Sequence, residues 1–142
     1  MKTKMQNLLK VTLIIAASMI LFICAVPQDK ASKPWDIPEK YMKMENPQSL
    51  DDADMVRLGK MLYSKHCKSC HGSEGLGDGP KAKQLETFPG DFSSEAFHNQ
   101  KDGELYYKSY IGRDEMPNFE KKITDEEERW AIITYMRSEF KK

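Results

Sequence analysis

Strand signals are missing from this 142-residue chain, and so are internal repeats and low-complexity tracts. Their absence argues against a sheet-based or solenoid fold and leaves helices as the only regular structure to expect. Net charge is missing too. Lysine and arginine number 22, and so do aspartate and glutamate. Three lysines (Lys2, Lys4 and Lys10) stand before residue 27, where no acidic residue occurs, and taking them from 22 leaves 19 basic against 22 acidic side chains in the remainder. A slightly acidic body gives no footing for nucleic acid as a partner. Cysteine and histidine are scarce, three of each, too few and too poorly spaced for a four-ligand zinc site: outside one short cluster only Cys24 and the solitary His98 could complete it. What remains is ordinary globular composition, 39% hydrophobic and 31% charged, which predicts one domain with a small core.

There is one long apolar run. Val11–Val26 reads VTLIIAASMILFICAV, sixteen uncharged and mostly apolar residues behind the three lysines, and polarity returns abruptly at Pro27-Gln28-Asp29-Lys30. This is the pattern of an export signal or a membrane anchor, with the lysines inside and the rest of the chain across the membrane. A spanning helix needs roughly 20 apolar residues, and Leu8 and Leu9 extend the run if Lys10 snorkels to the interface. Cleavage after Ala25 would put Ile23 where a small residue is preferred, and a lipidated Cys24 would have the same Ile23 before it. Residues 1–26 are therefore expected to be a signal peptide or an uncleaved anchor, with retention favoured. Residues 27–50 hold four of the seven prolines, which breaks any helical or strand period and predicts a semi-rigid tether. Its Trp35, Tyr41, Met42 and Met44 could lie on the domain's own surface or dock on a partner.

From residue 51 to 142 the pattern is helical. Asp51 or Asp52 can cap a first helix whose face is Met55, Val56, Gly59, Leu62, Tyr63 and His66, ending at Cys67. Asp102–Ile111 predicts a second, stopped by Gly112. A third is expected from Thr124, where Glu127 completes a capping box and Ile123 a staple, with Trp130, Ile133 or Thr134, and Met136 inward beside Ile132 and Tyr135.

The cluster between the first two helices is Lys65-His66-Cys67-Lys68-Ser69-Cys70-His71-Gly72. A redox CxxC of the thioredoxin type would need a βαβ context that is not here. The CxxCH spacing fits covalent haem c attachment: thiols three residues apart can form thioethers with two vinyl groups on one porphyrin edge, which places the next histidine under the iron. Cys67 and Cys70 are thus the anchors and His71 the proximal ligand. A covalently held haem would also supply apolar surface that about 90 residues cannot supply alone. The run Gly72-Ser73-Glu74-Gly75-Leu76-Gly77-Asp78-Gly79-Pro80 lacks the lysine and hydroxyl of a phosphate-binding loop and follows a helix rather than a strand. It is expected to form a tight loop beneath the haem. His66 and Met136 are read as packing or surface residues, His98 as a conceivable sixth ligand whose FHNQKDG context reads instead as a polar loop, and Lys68, Lys81 and Lys83 as a solvated face that could also steer an acidic partner.

For the facing position the residue expected is Met116, in Gly112-Arg113-Asp114-Glu115-Met116-Pro117-Asn118-Phe119. Pro117 biases it toward extended backbone, and the flanking Arg113, Asp114, Glu115 and Asn118 are polar, so it is poorly suited to ordinary core filling. A thioether on the sixth site favours ferrous iron and blocks exogenous ligands.

Taken together, CKSCHG, the glycine-rich run to Pro80, Met116-Pro117, and Trp130 with Tyr135 in a final helix resemble bacterial class I cytochromes c, especially membrane-tethered monohaem carriers. The resemblance covers residues 52 to 142. It implies that the first and last helices cross at Gly59 and Tyr63 against Ile132 and Tyr135, and that the carbonyl of Pro80 or Gly79 accepts the Nδ1 hydrogen of His71. It also implies one haem c, no catalytic activity of the chain's own, and redox proteins of a respiratory chain as partners outside the cytoplasmic membrane. A fixed subunit of a larger oxidoreductase is the alternative, and a peroxidase-like or gas-sensing haem domain a more distant one. Protein taken from membranes should have an intact mass that includes residues 1–26; a chain beginning at Val26, or an acylated Cys24, would overturn that expectation.

Overall fold

The computed structural model describes residues 33–141, and every regular element among them is helical. The expected signal or anchor of residues 1–26 lies outside the described residues. Among those described, no helix is long and apolar enough to cross a membrane. In chain order the α-helices are α1 (Glu39–Met42), α2 (Ala53–His66), α3 (Lys68–His71), α4 (Glu95–His98), α5 (Asp102–Ile111) and α6 (Glu126–Glu139), with one 3₁₀ turn at Ala82–Gln84. The all-α expectation holds.

Helices α2 and α6 form the centre. Asp52 caps α2, its carboxylate accepting from the amides of Asp54 and Met55 at 3.0 and 3.2 Å. Of the predicted inner face, Gly59, Leu62 and Tyr63 are buried. Gly59 is where the two helices meet: a Cβ there would stand 1.9 Å from the Ala131 carbonyl oxygen and 2.7 Å from the Tyr135 Cβ. Only glycine allows so close an approach. Tyr63 packs its ring on Tyr135 with centroids 5.4 Å apart, and Phe140 closes on both.

Helix α6 starts one residue later than its sequence suggests. Asp125, not Thr124, is the cap, accepting from the Glu127 amide at 2.8 Å. The Thr124 carbonyl is taken by Arg129 Nη2 at 2.7 Å and the Ile123 carbonyl by Arg129 Nε at 2.9 Å. That clasp fixes the preceding turn outside the helix and leaves the first acceptor position to Asp125. The helix is also more enclosed than a single apolar stripe would make it, because all seven residues from Trp130 to Met136 are buried. The reason is what lies on its other sides.

One of those covers is the stretch expected to be a tether. Pro38 starts the short helix α1, which lies on α5. Tyr41 packs against Tyr107 at 4.7 Å and Tyr106 at 6.2 Å. Farther on, Asn46 Nδ2 donates to the buried Thr134 hydroxyl at 2.9 Å, and that hydroxyl donates to Gln48 Oε1 at 3.0 Å. Residues 33–50 are therefore a strap on the domain surface. The prolines prevent long helices, but they leave aromatic and amide side chains free to dock. Gly59→Val should lower unfolding stability by roughly 1–3 kcal/mol through overpacking at the α2–α6 crossing. Equilibrium denaturation at matched haem content reads it, and an unchanged midpoint would mean that the crossing can open without cost.

Candidate haem site

Helix α2 delivers its last turn directly into the CxxCH cluster. The Cys67 amide donates to the Tyr63 carbonyl at 2.8 Å, and the amides of Cys70 and His71 both donate to the Cys67 carbonyl at 3.1 Å. These bonds form one helical turn with Cys67 and Cys70 at its two ends. Both cysteines are free thiols, Cys67 buried and Cys70 half-buried. Burial, with a lesser contribution from Cys70, pushes the Cys67 thiol up to about 12. The Cys67 thiol is therefore protonated near pH 7.

The glycine-rich loop closes on this turn from beyond its end. The Gly77 amide donates to the His71 carbonyl at 2.9 Å, Gly79 to Cys70 at 3.1 Å and Lys81 to Ser69 at 2.8 Å. Three terminal carbonyls of α3, which a helix end leaves without partners, are thereby satisfied. Tyr63 adds a fourth tie, its buried hydroxyl donating to the Gly72 carbonyl at 2.8 Å. The cluster is consequently fixed in backbone as well as in sequence.

His71 is 8% exposed. Burial lowers its pKa to about 4; the Pro89 carbonyl, near the ring but outside hydrogen-bonding geometry, acts the other way. The imidazole is therefore neutral near pH 7, the form in which a ring nitrogen can bind a metal. Phe92 stacks on the ring with centroids 4.6 Å apart. Nδ1 is buried and has no hydrogen-bond partner, so the expected bond to the carbonyl of Pro80 or Gly79 is not made in this structure. The backbone there is used differently: the amides that follow and precede Pro80 cap α3, while Pro80 itself is exposed.

Met116 sits in the expected loop, but the loop has more internal order than its polar sequence suggests. Arg113 and Met116 form an isolated bridge, with the Met116 amide donating to the Arg113 carbonyl at 2.8 Å. The Phe119 amide closes the base on the Tyr110 carbonyl at 2.9 Å. Gly112, at φ +68°, lies under the turn; a Cβ would meet the carbonyl oxygens of Met116 and Pro117 at 2.4 and 2.5 Å. Half-buried Met116 packs against the same hydrophobic core to which Cys67, Leu62 and Phe97 belong.

Of the other two histidines, His66 is explained by packing, whereas His98 also leaves a buried ring nitrogen, Nε2, without a hydrogen-bond partner. His66 meets the ring of Phe119 edge-on at 5.6 Å. His98 ends helix α4 rather than lying in a polar loop, its carbonyl accepting from Arg137 Nη1 at 2.7 Å. Met136 is buried core, and Lys68, Lys81 and Lys83 are exposed. Sequence reasoning missed Phe92, the aromatic partner of His71, because an isolated phenylalanine between polar residues carries no local signal.

The donor set suits haem c. Two free thiols stand at either end of one turn, followed by a neutral imidazole whose buried nitrogen lacks a partner, against an aromatic lining. Each thiol would add across a vinyl double bond, forming a carbon–sulfur bond and passing its hydrogen to the adjacent carbon, with no net oxidation. The family comparison agrees with this chemistry. A family model for cytochrome c matches residues 56–139, more than half of the chain. The chain belongs to the cytochrome c family, and its helices and CxxCH turn make it a class I member with covalently bound haem c that carries electrons. A search of curated proteins finds no match.

Cys67→Ala and Cys70→Ala should each reduce or abolish haem-loaded protein. Whatever matures should show a red-shifted pyridine haemochrome from the vinyl group left intact, while Cys24→Ser keeps normal haem content. A normal spectrum and yield in Cys67→Ala would contradict the attachment.

Proposed function

We propose that the protein carries single electrons on one haem c, ligated by His71 and Met116, between redox proteins of a respiratory chain. The domain is placed outside the cytoplasmic membrane and tethered to it by residues 1–26. When bound, the haem supplies an iron that alternates between ferric and ferrous states by one electron. The remaining work belongs to the chain. Cys67 and Cys70 prevent dissociation, and the capped turn of α3 holds the neutral His71 ring in one place. Met116 provides a soft, neutral donor that favours the ferrous state and fills the position an exogenous ligand would need.

The observation that carries this reading is the construction of the Met116 loop. A methionine presented only for packing needs no bridge, no closed base and no glycine forced into a left-handed conformation beneath it. All three occur within ten residues of chain, from Tyr110 to Phe119. A filled sixth position speaks against peroxidase or gas-sensing chemistry and for transfer without catalysis. The strap supports a free carrier over a fixed subunit, since Trp35 and Tyr41 are engaged with the domain's own rings.

Met116→Ala should keep its covalent haem, lose the sulfur-to-iron charge-transfer band, bind carbon monoxide or cyanide readily, and show a lower reduction potential. Avid carbon monoxide binding by the unaltered protein, or an unchanged band in the variant, would remove Met116 as ligand. The carrier reading would then lose its main support.

A further inference from the structure

The turn that presents Met116 is gripped from outside by side chains on two other parts of the molecule. On one side Arg113 Nη1 donates to the Pro34 carbonyl at 2.8 Å and Nη2 donates to the Lys33 carbonyl. The guanidinium lies 4.0 Å from the centre of the Trp35 ring. Trp35 in turn stands edge-on to Tyr107 at 6.3 Å, and Tyr107 packs on Tyr41. On the other side the Glu115 carboxylate accepts from the amides of Glu86 and Thr87, both at 3.0 Å. Between the two grips Asp114 occupies φ +49°, a left-handed conformation uncommon for a residue with a side chain.

We propose that Arg113 and Trp35 are positioning residues for Met116, so that the strap of residues 33–50 clamps the ligand loop and sets how often the methionine thioether leaves the iron. This rests on the ligation by Met116 proposed above.

The mechanical link is short. Arg113 and Met116 are the two bridged residues of the turn, so a displacement of one moves the other. A guanidinium fork on two carbonyls fixes direction as well as distance, and stacking on an indole face adds a third restraint that a lysine would not reproduce. Arg113 also stands 3.9 Å from the Asp114 carboxylate, but that group is 76% exposed and holds little. The Arg113 side chain itself is 24% exposed, enclosed chiefly by the strap. The clamp therefore does not lie in the loop. It belongs to a segment some eighty residues earlier in the chain.

Carbon monoxide can occupy the sixth position only while the thioether is away, so its apparent affinity scales with the fraction of molecules in that state. Releasing the clamp raises that fraction. The test uses full-length haem-loaded protein with five substitutions: Trp35→Ala, Trp35→Phe, Arg113→Ala, Arg113→Lys and Met116→Ala. The readouts are the sulfur-to-iron band of the ferric protein and the carbon monoxide affinity of the ferrous protein, with haem content and melting temperature alongside. Trp35→Ala and Arg113→Ala should keep their haem, weaken the band and raise carbon monoxide affinity on the order of tenfold. Trp35→Phe, which restores an aromatic plate, should return both readouts toward wild type, and Arg113→Lys should not. If Arg113→Ala accumulates without haem, the two Trp35 variants decide by themselves. Unchanged band and affinity in the alanine variants, even with a lowered melting temperature, would reduce the strap to a stabilising cover and overturn the clamp. A wild-type band in Met116→Ala would remove the ligation first, and the clamp with it. Loss of the band in Met116→Ala with none in the alanine variants overturns the clamp alone.

Discussion

The approach of α2 to α6 at Gly59 is the constraint on which the remaining arrangement depends. With no side chain at 59, the α2 backbone rests on the Ala131 carbonyl, and Tyr63 and Tyr135 interleave beside it. Because α2 continues without a break into Cys67, the crossing also fixes where the two thiols and the imidazole stand. The C-terminal helix thus helps place the cofactor site without contributing a proposed ligand. Its Arg129 and Arg137 reach farther. Arg129 donates to the Tyr106 hydroxyl at 3.1 Å, and Arg137 grips the Asp102 carboxylate at 2.9 Å while holding the His98 carbonyl. Side chains of one helix therefore tie down both α4 and α5.

The attachment turn and the loop of the proposed sixth ligand are built by different physical means. The attachment turn is held by backbone, since loop amides complete the carbonyls of α3 and the Tyr63 hydroxyl takes the carbonyl of Gly72. The Met116 loop has a backbone bridge of its own, but its outer restraints come from Arg113 and Glu115. Backbone caps survive most substitutions. Side-chain restraints can be retuned one residue at a time, so with the ligation proposed above, variation in ligand behaviour is more readily placed on the methionine side than on the histidine side.

How much of this was legible beforehand follows from the range of each interaction. CxxCH is a chemical requirement expressed over five residues, and the bounds of α5 follow from Gly112 immediately behind it. Helix α2 was readable because its cap and inner face are both local. The start of α6 was misplaced by one residue because two acceptors, Thr124 and Asp125, compete there, and Arg129 decides between them through contacts that only the folded chain makes. The strap was hidden by its own composition: four prolines suggest a spacer, and nothing local shows that Tyr41 will find Tyr106 and Tyr107. Met116 could be singled out by Pro117 and its polar neighbours, but not its external supports, which come from positions 33–35 and 86–87. The bond expected between His71 and Pro80 followed from family likeness alone, and here the same stretch of backbone caps α3.

The crossing that organises the fold joins positions about seventy residues apart in the chain, Gly59 and Ala131. Contacts of such separation are late to form, because the intervening loop must close before they return any stabilisation. A chain emerging from its N-terminus therefore presents α2 and the CxxCH turn well before α6 exists to cover them. Cys67, buried in the finished domain, is reachable throughout that interval. The same topology that seals the first thiol at the end leaves a window at the beginning, and the chemistry that needs both thiols has its natural place in that window.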